Sequence, residues 1–292
     1  MRIGVSSYSF SRLVSSGAMT QLEVIPKAKE IGFDVIEFST LAVPEGETLE
    51  SFAPQVKAEC EKAGLAITNY TIGADFLNGS DGDLDAEVER VKGEVRIAAI
   101  LGAPGMRHDA TRGFSPEHTG ARGFDAAVPR LAEGCRAVTD FAAGLGIKTM
   151  VENHGFFCQD SVRVEKLVCA VDHANFGVLI DMGNFCCADE DPALAVGRLM
   201  PYAFHVHAKD FHLKSGMNPF PGSGWFRSRG GNYLRGAIIG HGDVPVLQCI
   251  EVMKAASFDG VLSIEFEGME EPLEGIALGL ENLRRFVEQV YG

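Results

Sequence analysis

The chain has 292 residues, 46% of them hydrophobic and 23% charged, which is the balance of a soluble globular protein with a sizeable core. Its 26 basic and 40 acidic residues give a formal net charge of −14, and so acidic a protein repels a phosphate backbone, so we expect no nucleic-acid partner. No apolar run approaches the roughly 18 to 20 residues of a membrane helix, and the N-terminus lacks the apolar stretch of a secretory signal. We therefore expect a cytoplasmic protein without a membrane partner.

Short β-rich runs alternate with amphipathic segments from one end of the chain to the other. Most of the runs are continuously apolar rather than alternating, which is typical of parallel strands buried on both faces. In chain order, we predict strands at Ile3–Ser7, Val35–Phe38, Ala66–Thr71, Gly105–His108, Lys148–Glu152, Gly177–Asp181, Ala203–Ala208 and Val261–Phe266.

The segments between these strands have helical spacing of apolar residues and recognisable helix boundaries. Asp191-Pro192 and Glu271-Pro272 indicate helix starts, whereas Gly32 and Gly64 lie where a helix ends before the next strand. Eight β-then-α units in a chain of this size predict a single α/β domain over residues 1–292, a (β/α)₈ TIM barrel. A doubly wound open sheet is the competing fold, but the turn after the first strand has no glycine-rich phosphate fingerprint.

One connection, at about residues 210–243, is longer than the others and joins the seventh strand to the seventh helix. It is rich in glycine and contains Trp225, Arg227, Arg229 and Arg235. Loops of this length in compact domains are usually functional or disordered. Because aromatic residues stand among the glycines, we predict an ordered lid.

Seven cysteines are scattered through the chain without any CxxC pair. Their odd number and the absence of zinc-finger spacing predict reduced structural thiols, as in a cytoplasmic protein. Cys186 and Cys187 are placed in a loop by the sequence pattern, where they would be the candidates for a reactive thiol.

Acidic and histidine residues close the last four predicted strands, and the C-terminal ends of barrel strands are where TIM-barrel chemistry occurs. With side chains alternating along a strand, the sets facing the mouth should be Glu152 with His154, His205 with His207 and Lys209, and Glu265 with Glu267. Carboxylates that converge in a dry site need a cation, although each acid could instead pair with a lysine or arginine. Carboxylate and imidazole ligands without thiolate suit one divalent ion such as Mn²⁺, Mg²⁺ or Co²⁺, with Zn²⁺ as a further alternative.

Six segments of the chain carry a resemblance to a known family. Four are the strand ends Glu152-Asn153-His154, Ile180 to Asn184, His205 to Asp210 and Ile264 to Glu267, and the other two are Gly240 to Asp243 and Ile31 to Glu37. Together they resemble the xylose-isomerase-like superfamily of sugar isomerases and epimerases. The resemblance spans nearly the whole chain. It implies a metal site, with Mn²⁺ preferred, whose ligands are Glu152, Asp181, His207 and Glu265. His207 is chosen over His205 because the family's ligand lies two residues before a lysine, and Glu265 over Glu267 because it matches the acid closing the eighth strand.

The resemblance also implies a reaction, the isomerisation or epimerisation of a keto-sugar or related hydroxy-ketone. Glu152 and Glu265 would be the opposed acid and base that move a proton through a metal-stabilised enediolate. Further candidates for binding the substrate, a sugar or polyol, are Lys209, His154, Arg107, His108 and Asp109, Glu37, Arg235 and, in the lid, Trp225. The family also suggests a homo-oligomer.

Three alternatives to this function come from different classes. A metal-dependent lyase or dehydratase acting on a keto-inositol or 3-keto-glycoside would use the same enolisation and then expel a leaving group. The apurinic endonucleases of the superfamily need further metal ligands, which are replaced here by Asn184 and by Leu234 and Gly236. A non-catalytic sugar-binding barrel would have to keep every ligand without using it.

Overall fold

The computed structural model describes all 292 residues, and eight parallel strands form a closed barrel in it. The order around the barrel follows the order along the chain, and the first strand pairs with both the second and the last. The barrel strands are β1 (Arg2–Ser6), β2 (Val35–Ser39), β3 (Ala66–Ile72), β4 (Gly105–His108), β5 (Lys148–Glu152), β6 (Phe176–Asp181), β7 (Ala203–Ala208) and β11 (Val261–Ile264). The predicted (β/α)₈ TIM barrel is confirmed.

Ten helices accompany the strands, and the residues at their ends explain where they start and stop. The Thr20 side chain accepts from the Glu23 N–H in a reciprocal capping box, and Gly32 closes the same helix in the left-handed conformation. Asp191 caps the helix that Pro192 begins, as the sequence predicts. The helices are α1 (Ser11–Ser15), α2 (Gln21–Ile31), α3 (Leu49–Ala63), α4 (Leu84–Leu101), α5 (Phe124–Ala143), α6 (Ser161–Val171), α7 (Asn184–Cys187), α8 (Pro192–Leu199), α9 (Val246–Ala255) and α10 (Pro272–Tyr291).

The parallel strands are buried on both faces, as their apolar composition predicts. Every residue of β6 is buried, including Asp181 at its C-terminal end. The eighth barrel strand ends two residues earlier than predicted, so Glu265 lies just past β11, where its N–H donates to the carbonyl of Ala208. The C-terminal ends of the strands therefore hold polar side chains in a largely dry environment.

The long connection after β7, which we call the lid, contains a small antiparallel sheet. Its strands β8 (Asp210–Lys214), β9 (Phe226–Arg227) and β10 (Tyr233–Ala237) are arranged with β10 in the centre. The buried carboxylate of Asp210 accepts the N–H groups of Gly240, Gly242 and Val244, so one side chain ties the two ends of the lid together. Gly242 is required there, because a Cβ would collide with this carboxylate.

All seven cysteines are free, and only Cys169 is exposed. Cys186 and Cys187 lie in the short helix α7 rather than in the expected loop, and burial raises the pKa of each thiol to about 12. These two thiols are therefore poor nucleophiles at neutral pH. None of the ten helices combines the length and the hydrophobicity that crossing a bilayer would require.

Candidate metal centre and active site

Four side chains from four adjacent strand ends converge at the barrel mouth. They are Glu152 at the end of β5, Asp181 at the end of β6, His207 in β7 and Glu265 after β11. One potential ligand atom from each lies within 4.8 Å of every other. Ligands on opposite sides of a divalent ion lie about 4.2 Å apart at bond lengths near 2.1 Å, so the four atoms are spaced as ligands of one ion would be.

The carboxylate of Asp181 is oriented by the turn that follows it. Its Oδ1 accepts the N–H groups of Gly183 at 2.8 Å and Asn184 at 3.0 Å, which leaves Oδ2 directed at the cluster. Asn153 pairs with the Asp181 backbone through two hydrogen bonds of 2.8 Å. The Asn184 side chain donates to Glu152 at 3.0 Å and accepts from Lys209. The Asp-Met-Gly-Asn turn thus holds three groups of the site in place.

His207 gives a direct test of whether a metal fits this cluster. Its Nε2 lies 2.5 Å from Glu37 Oε1, a carboxylate that can only accept, so Nε2 carries the proton. The other nitrogen, Nδ1, is buried without a hydrogen-bond partner and lies 3.7 Å from Asp181 and 3.6 Å from Glu265. A buried ring nitrogen without a hydrogen-bond partner, beside two carboxylates, is a position that a divalent cation satisfies. The residues therefore fit the metal that the sequence predicts.

Glu37 lies at the bottom of the site and is completely buried. It contacts both His207 and, at 3.2 Å, His205, which also hydrogen-bonds Ser263. Burial alone would raise the pKa of Glu37, but the two imidazoles lower it to about 2. The carboxylate is therefore ionised and orients the imidazole of His207.

Lys209 provides the counter-charge on one side of the cluster. Its Nζ lies 3.0 Å from Asp181, 2.5 Å from Glu265 and 3.4 Å from Glu267. Burial alone would lower the pKa of Lys209, but the carboxylates of Asp181 and Glu265 raise it well above its usual value. Burial would likewise raise the pKa of Glu265, whereas Lys209 and His207 hold it well below its usual value.

Arg107 provides the counter-charge on the other side. It lies 2.6 Å from Glu152 and 2.8 Å from Asp109, and Asp109 in turn lies 2.9 Å from Nδ1 of His154. Burial raises the pKa of Glu152 in spite of Arg107. Burial opposes protonation of His154, but the hydrogen bond to Asp109 raises its pKa. The two glutamates thus stand in different electrostatic surroundings.

A cavity of about 640 Å³ opens above the cluster and is lined by Glu152, His154, Arg107, Lys209 and Glu265. A smaller cavity of about 240 Å³ adjoins it beneath the lid, where Phe211 and Phe226 form part of the wall. His154 and Lys209 line both. The volume of the main cavity is in the range of small-molecule sites.

Four of the predicted substrate-binding residues do not line either cavity. His108 is buried between Phe76 and Phe176, because Arg107 before it on β4 takes the inward-facing position. Glu37 lies beneath the ligands. Arg235 and Trp225 contact one another in the lid, where Arg235 also lies 3.8 Å from Glu270. As direct ligands of a substrate, these four are not supported by the geometry.

Several residues of the site escape prediction from the sequence. Asn184 could have been found from the turn chemistry after Asp181. Arg112 lines both cavities, and Tyr8, Gln21 and Thr40 line the main one, but all four lie in loops or at a helix start, where neither periodicity nor charge indicates a site.

A family model described as xylose isomerase-like TIM barrel matches residues 25–286 of the chain. No curated protein sequence matches it. Among solved structures, a xylose isomerase-like TIM barrel protein from Mycobacterium smegmatis in complex with magnesium is similar with a TM-score of 0.73 and 17% identity, over 100% of this chain and 98% of that chain.

Two further solved structures are named for activities. The probable 3-DHS dehydratase involved in petrobactin synthesis from Bacillus anthracis has a TM-score of 0.72 at 17% identity, over 97% of this chain and 99% of that one. The 3-keto-D-glucoside 4-epimerase from E. coli, in its apo form, has a TM-score of 0.71 at 18% identity, over 98% of this chain and 99% of that one. At these identities, the likenesses show the fold that the proteins share.

Proposed function

This chain belongs to the family of xylose isomerase-like TIM barrels, and we propose that it is a divalent-metal-dependent isomerase or epimerase of a keto-sugar or related hydroxy-ketone. One observation carries the proposal. Glu152 and Glu265, two potential proton carriers, line one cavity and belong to the same four-residue cluster, in which His207 Nδ1 has no partner. Solved structures of sugar epimerases share the fold.

Glu152, Asp181, His207 and Glu265 would hold the ion, which when bound would polarise the oxygens of a hydroxy-ketone and acidify the C–H beside the carbonyl. The donor set suits Mn²⁺, Mg²⁺ or Co²⁺. A similar fold has been solved in complex with magnesium. We keep Mn²⁺ as the preferred ion for this chain.

One glutamate removes the proton beside the carbonyl and the other returns a proton to the enediolate. Glu265, with its pKa lowered by Lys209, begins in the ionised form that a base requires. Glu152 is held by Arg107 and Asn184 at a fixed place in the cavity wall. Lys209 carries a buried positive charge at the same wall, where it stabilises negative charge on the substrate oxygen.

A lyase is the second candidate, and His154 is the residue that favours it. The side chain of His154 lines both cavities and is held by Asp109, which favours the protonated imidazole. A protonated group at that position could transfer its proton to a leaving group after the same enolisation. A dehydratase has a similar fold.

Proton exchange in D₂O tests the proposal. The metal-free enzyme, prepared with EDTA, would be compared by NMR with enzyme reloaded with Mn²⁺, against a panel of ketoses, keto-inositols and 3-keto-glycosides. We expect metal-dependent deuterium uptake beside the carbonyl, with formation of an epimer or aldose. Metal-dependent loss of water or of an aglycone would instead establish the lyase.

Two variants locate the chemistry within the site. Glu152→Gln and Glu265→Gln should each lower the exchange rate at least ~100-fold, the usual contribution of a general acid or base. Glu251→Gln, on the exposed face of α9, serves as the matched control and should retain the wild-type rate. Full exchange in both site variants would remove these glutamates from the mechanism.

A further inference from the structure

We propose that the main cavity contains a second, uncharged sugar subsite, so that the substrate is a glycoside whose second ring occupies it, rather than a free monosaccharide. The subsite is formed by Ser11, Val14, Ser15, Gln21, Thr40 and Ala42. We call it the neutral end of the cavity. The inference rests on the function proposed above, because it assigns the remainder of the molecule whose keto-sugar ring reacts at the metal cluster.

The size of the cavity is the first argument. A hexose has twelve non-hydrogen atoms, and if each occupied as much space as a liquid water molecule, about 30 Å³, the ring would fill at most ~360 Å³. The cavity has a volume of about 640 Å³. One ring placed at the cluster therefore leaves at least ~280 Å³, which is most of the volume that this upper bound assigns to a second ring.

The distribution of charge around the cavity is the second argument. Every charged side chain of the wall comes from the C-terminal ends of β4, β5, β7 and β11 or the turns after them. The wall that follows β1, β2 and β3 holds hydroxyl, amide and a few apolar groups. Because β1, β2 and β3 are neighbours in the barrel, the cavity has a neutral half above them and a charged half on the opposite side. A neutral polyhydroxylated group matches the second half, whereas a phosphate or carboxylate would find no counter-charge there.

Gln21 shows that the neutral end has a fixed hydrogen-bond donor. Its side chain is buried, with a residue exposure of 6%, and its Oε1 accepts the N–H of Ala42 at 3.2 Å. Because the atom that accepts this N–H must be the oxygen, the hydrogen bond identifies the other terminal atom of the carboxamide as Nε2. The Nε2 group has no partner in the protein although Gln21 lines the cavity. A largely buried amide with a free N–H₂ facing a cavity is typical of a group that binds a ligand oxygen.

Two hydroxyls of the neutral end are also free to bind a ligand, whereas Ser15 Oγ donates to the carbonyl of Arg12. The hydroxyls of Ser11 and Thr40 make no hydrogen bond within the protein, and they can both donate and accept. Tyr8 lines the cavity with 41% of its surface exposed, so its aromatic ring is accessible to a sugar. Donors, acceptors and an aromatic face together are what a pyranose ring requires.

The test compares substrates that share a 3-keto-glucose ring and differ in the remainder, with 3-keto-maltose matching the α configuration of the methyl glycoside. Methyl 3-keto-α-D-glucoside has one ring, whereas 3-keto-maltose and 3-keto-cellobiose add a second glucose. In the D₂O exchange assay with the Mn²⁺-loaded enzyme, we expect KM for at least one disaccharide to be about tenfold lower than for the methyl glycoside. Such a factor corresponds to the loss of one or two hydrogen bonds. Equal KM values for all three compounds would overturn the proposal.

Two variants assign this preference to the neutral end. Gln21→Met preserves side-chain volume, and Thr40→Ala changes an exposed position. Each should raise KM for the disaccharide about 5- to 10-fold and leave KM for the methyl glycoside within twofold. Gln248→Ala, exposed on α9, is the matched control. A parallel increase for both substrates would also overturn the subsite.

A binding measurement separates failure of this inference from failure of the proposed function. Unoxidised maltose, cellobiose and glucose would be titrated into the wild type and the Thr40→Ala variant by saturation-transfer NMR. Binding of a disaccharide that Thr40→Ala weakens, with no exchange on any keto-sugar, would reject the reaction and retain the neutral end as a sugar site. Exchange on the methyl glycoside without disaccharide binding would reject the subsite alone.

Discussion

Glu37 acts on the candidate metal site by orienting the ligand His207, and it is not itself one of the four ligands. Its carboxylate accepts the Nε2–H of His207 and thereby directs the other ring nitrogen at Asp181 and Glu265. Such carboxylate–histidine pairs set the tautomer and the basicity of a metal-binding imidazole. The sequence indicated that Glu37 closes a strand, and only the three-dimensional structure shows what it contacts.

We expect Glu37→Gln to lower the affinity for Mn²⁺ by about 10- to 100-fold, because a neutral amide no longer holds the imidazole in one orientation. Isothermal titration of the EDTA-treated protein measures this directly. Glu87→Gln is the matched control, because Glu87 is a buried carboxylate outside the site that pairs with Arg90. Equal Mn²⁺ affinity in the wild type and Glu37→Gln would mean that Glu37 only fills the barrel interior.

His108 makes the fold sensitive to acid. Burial lowers the pKa of His108 to about 4, and its Nε2 is buried without a hydrogen-bond partner. An unfolded histidine has a pKa near 6.5, so the unfolded state takes up a proton first as the pH falls. The stabilising contribution of neutral His108 is complete above about pH 6.5 and is lost between about pH 6.5 and 4.

His108→Phe should reduce this loss, because phenylalanine does not titrate and its ring can pack between Phe76 and Phe176. Urea titrations at pH 8 and pH 4.5 give the unfolding free energy of both proteins. On going from pH 8 to pH 4.5, the variant should gain about 2 kcal/mol of unfolding free energy relative to the wild type. At pH 8 the histidine is neutral in both the folded and the unfolded state, so the difference in unfolding free energy reports only the change in packing. A difference that does not change with pH would contradict the assignment.

At the scale of elements, the lid is attached to the barrel at a defined place. Asp189, which follows α7 with a φ of +57°, accepts hydrogen bonds from Ser228, Gly230 and Asn232 of the lid. Arg229 adds an ion pair of 2.8 Å to Asp160. The lid is therefore held over the turns that follow β5 and β6, next to the smaller cavity.

Asp189→Ala should loosen this attachment without unfolding the barrel. Removing three accepted hydrogen bonds costs at least about 1.4 kcal/mol locally, so trypsin should cleave at Arg227 or Arg229 about tenfold faster. Asp259→Ala, exposed beyond α9, is the control. If the cleavage rate is unchanged, the lid is held by other contacts. If KM for the substrate is also unchanged, the lid is not part of the binding site.

The barrel strands are predictable from the sequence, because their apolar runs recur along the chain, whereas the set of four clustered side chains is predictable only with the family resemblance. Strand alternation places Glu152 and His207 at the mouth, whereas Asp181 and the choice of His207 over His205 and of Glu265 over Glu267 come from the resemblance. The lid sheet is not predictable, since β9 has two residues and no period. The neutral end of the cavity is not predictable either, because it is formed by loop hydroxyls and a helix-start glutamine whose convergence depends on the tertiary fold.

At the scale of the whole molecule, the candidate metal site is a concentration of negative charge in an already acidic protein. Three carboxylates belong to the four-residue cluster, and Lys209 and Arg107 are the cations beside them. The formal net charge is −14. A bound divalent ion would therefore stabilise the fold as well as supply chemistry.

Mn²⁺ at about 100 times its Kd should stabilise the protein by roughly 2.7 kcal/mol and raise Tm by several degrees. Differential scanning calorimetry with Mn²⁺ and with EDTA measures this. Asp181→Asn retains the acceptor for the Gly183 and Asn184 N–H groups but removes a charge, so it should fold and lose most of the shift. An equal shift in this variant would place the ion elsewhere.

The Asp210 carboxylate has a consequence for how substrate preference can change. It helps to join the two ends of the lid, while the eight barrel strands close without any residue of the lid sheet. The segment between β8 and β10, about residues 215 to 232, is mostly exposed and is thus a replaceable cassette, whereas β10 contributes the buried core residue Leu234. Chimeras that keep Asp210 and Gly242 and exchange this cassette should preserve the catalytic framework, so new specificities can arise by substitution of one surface segment while the reaction stays the same.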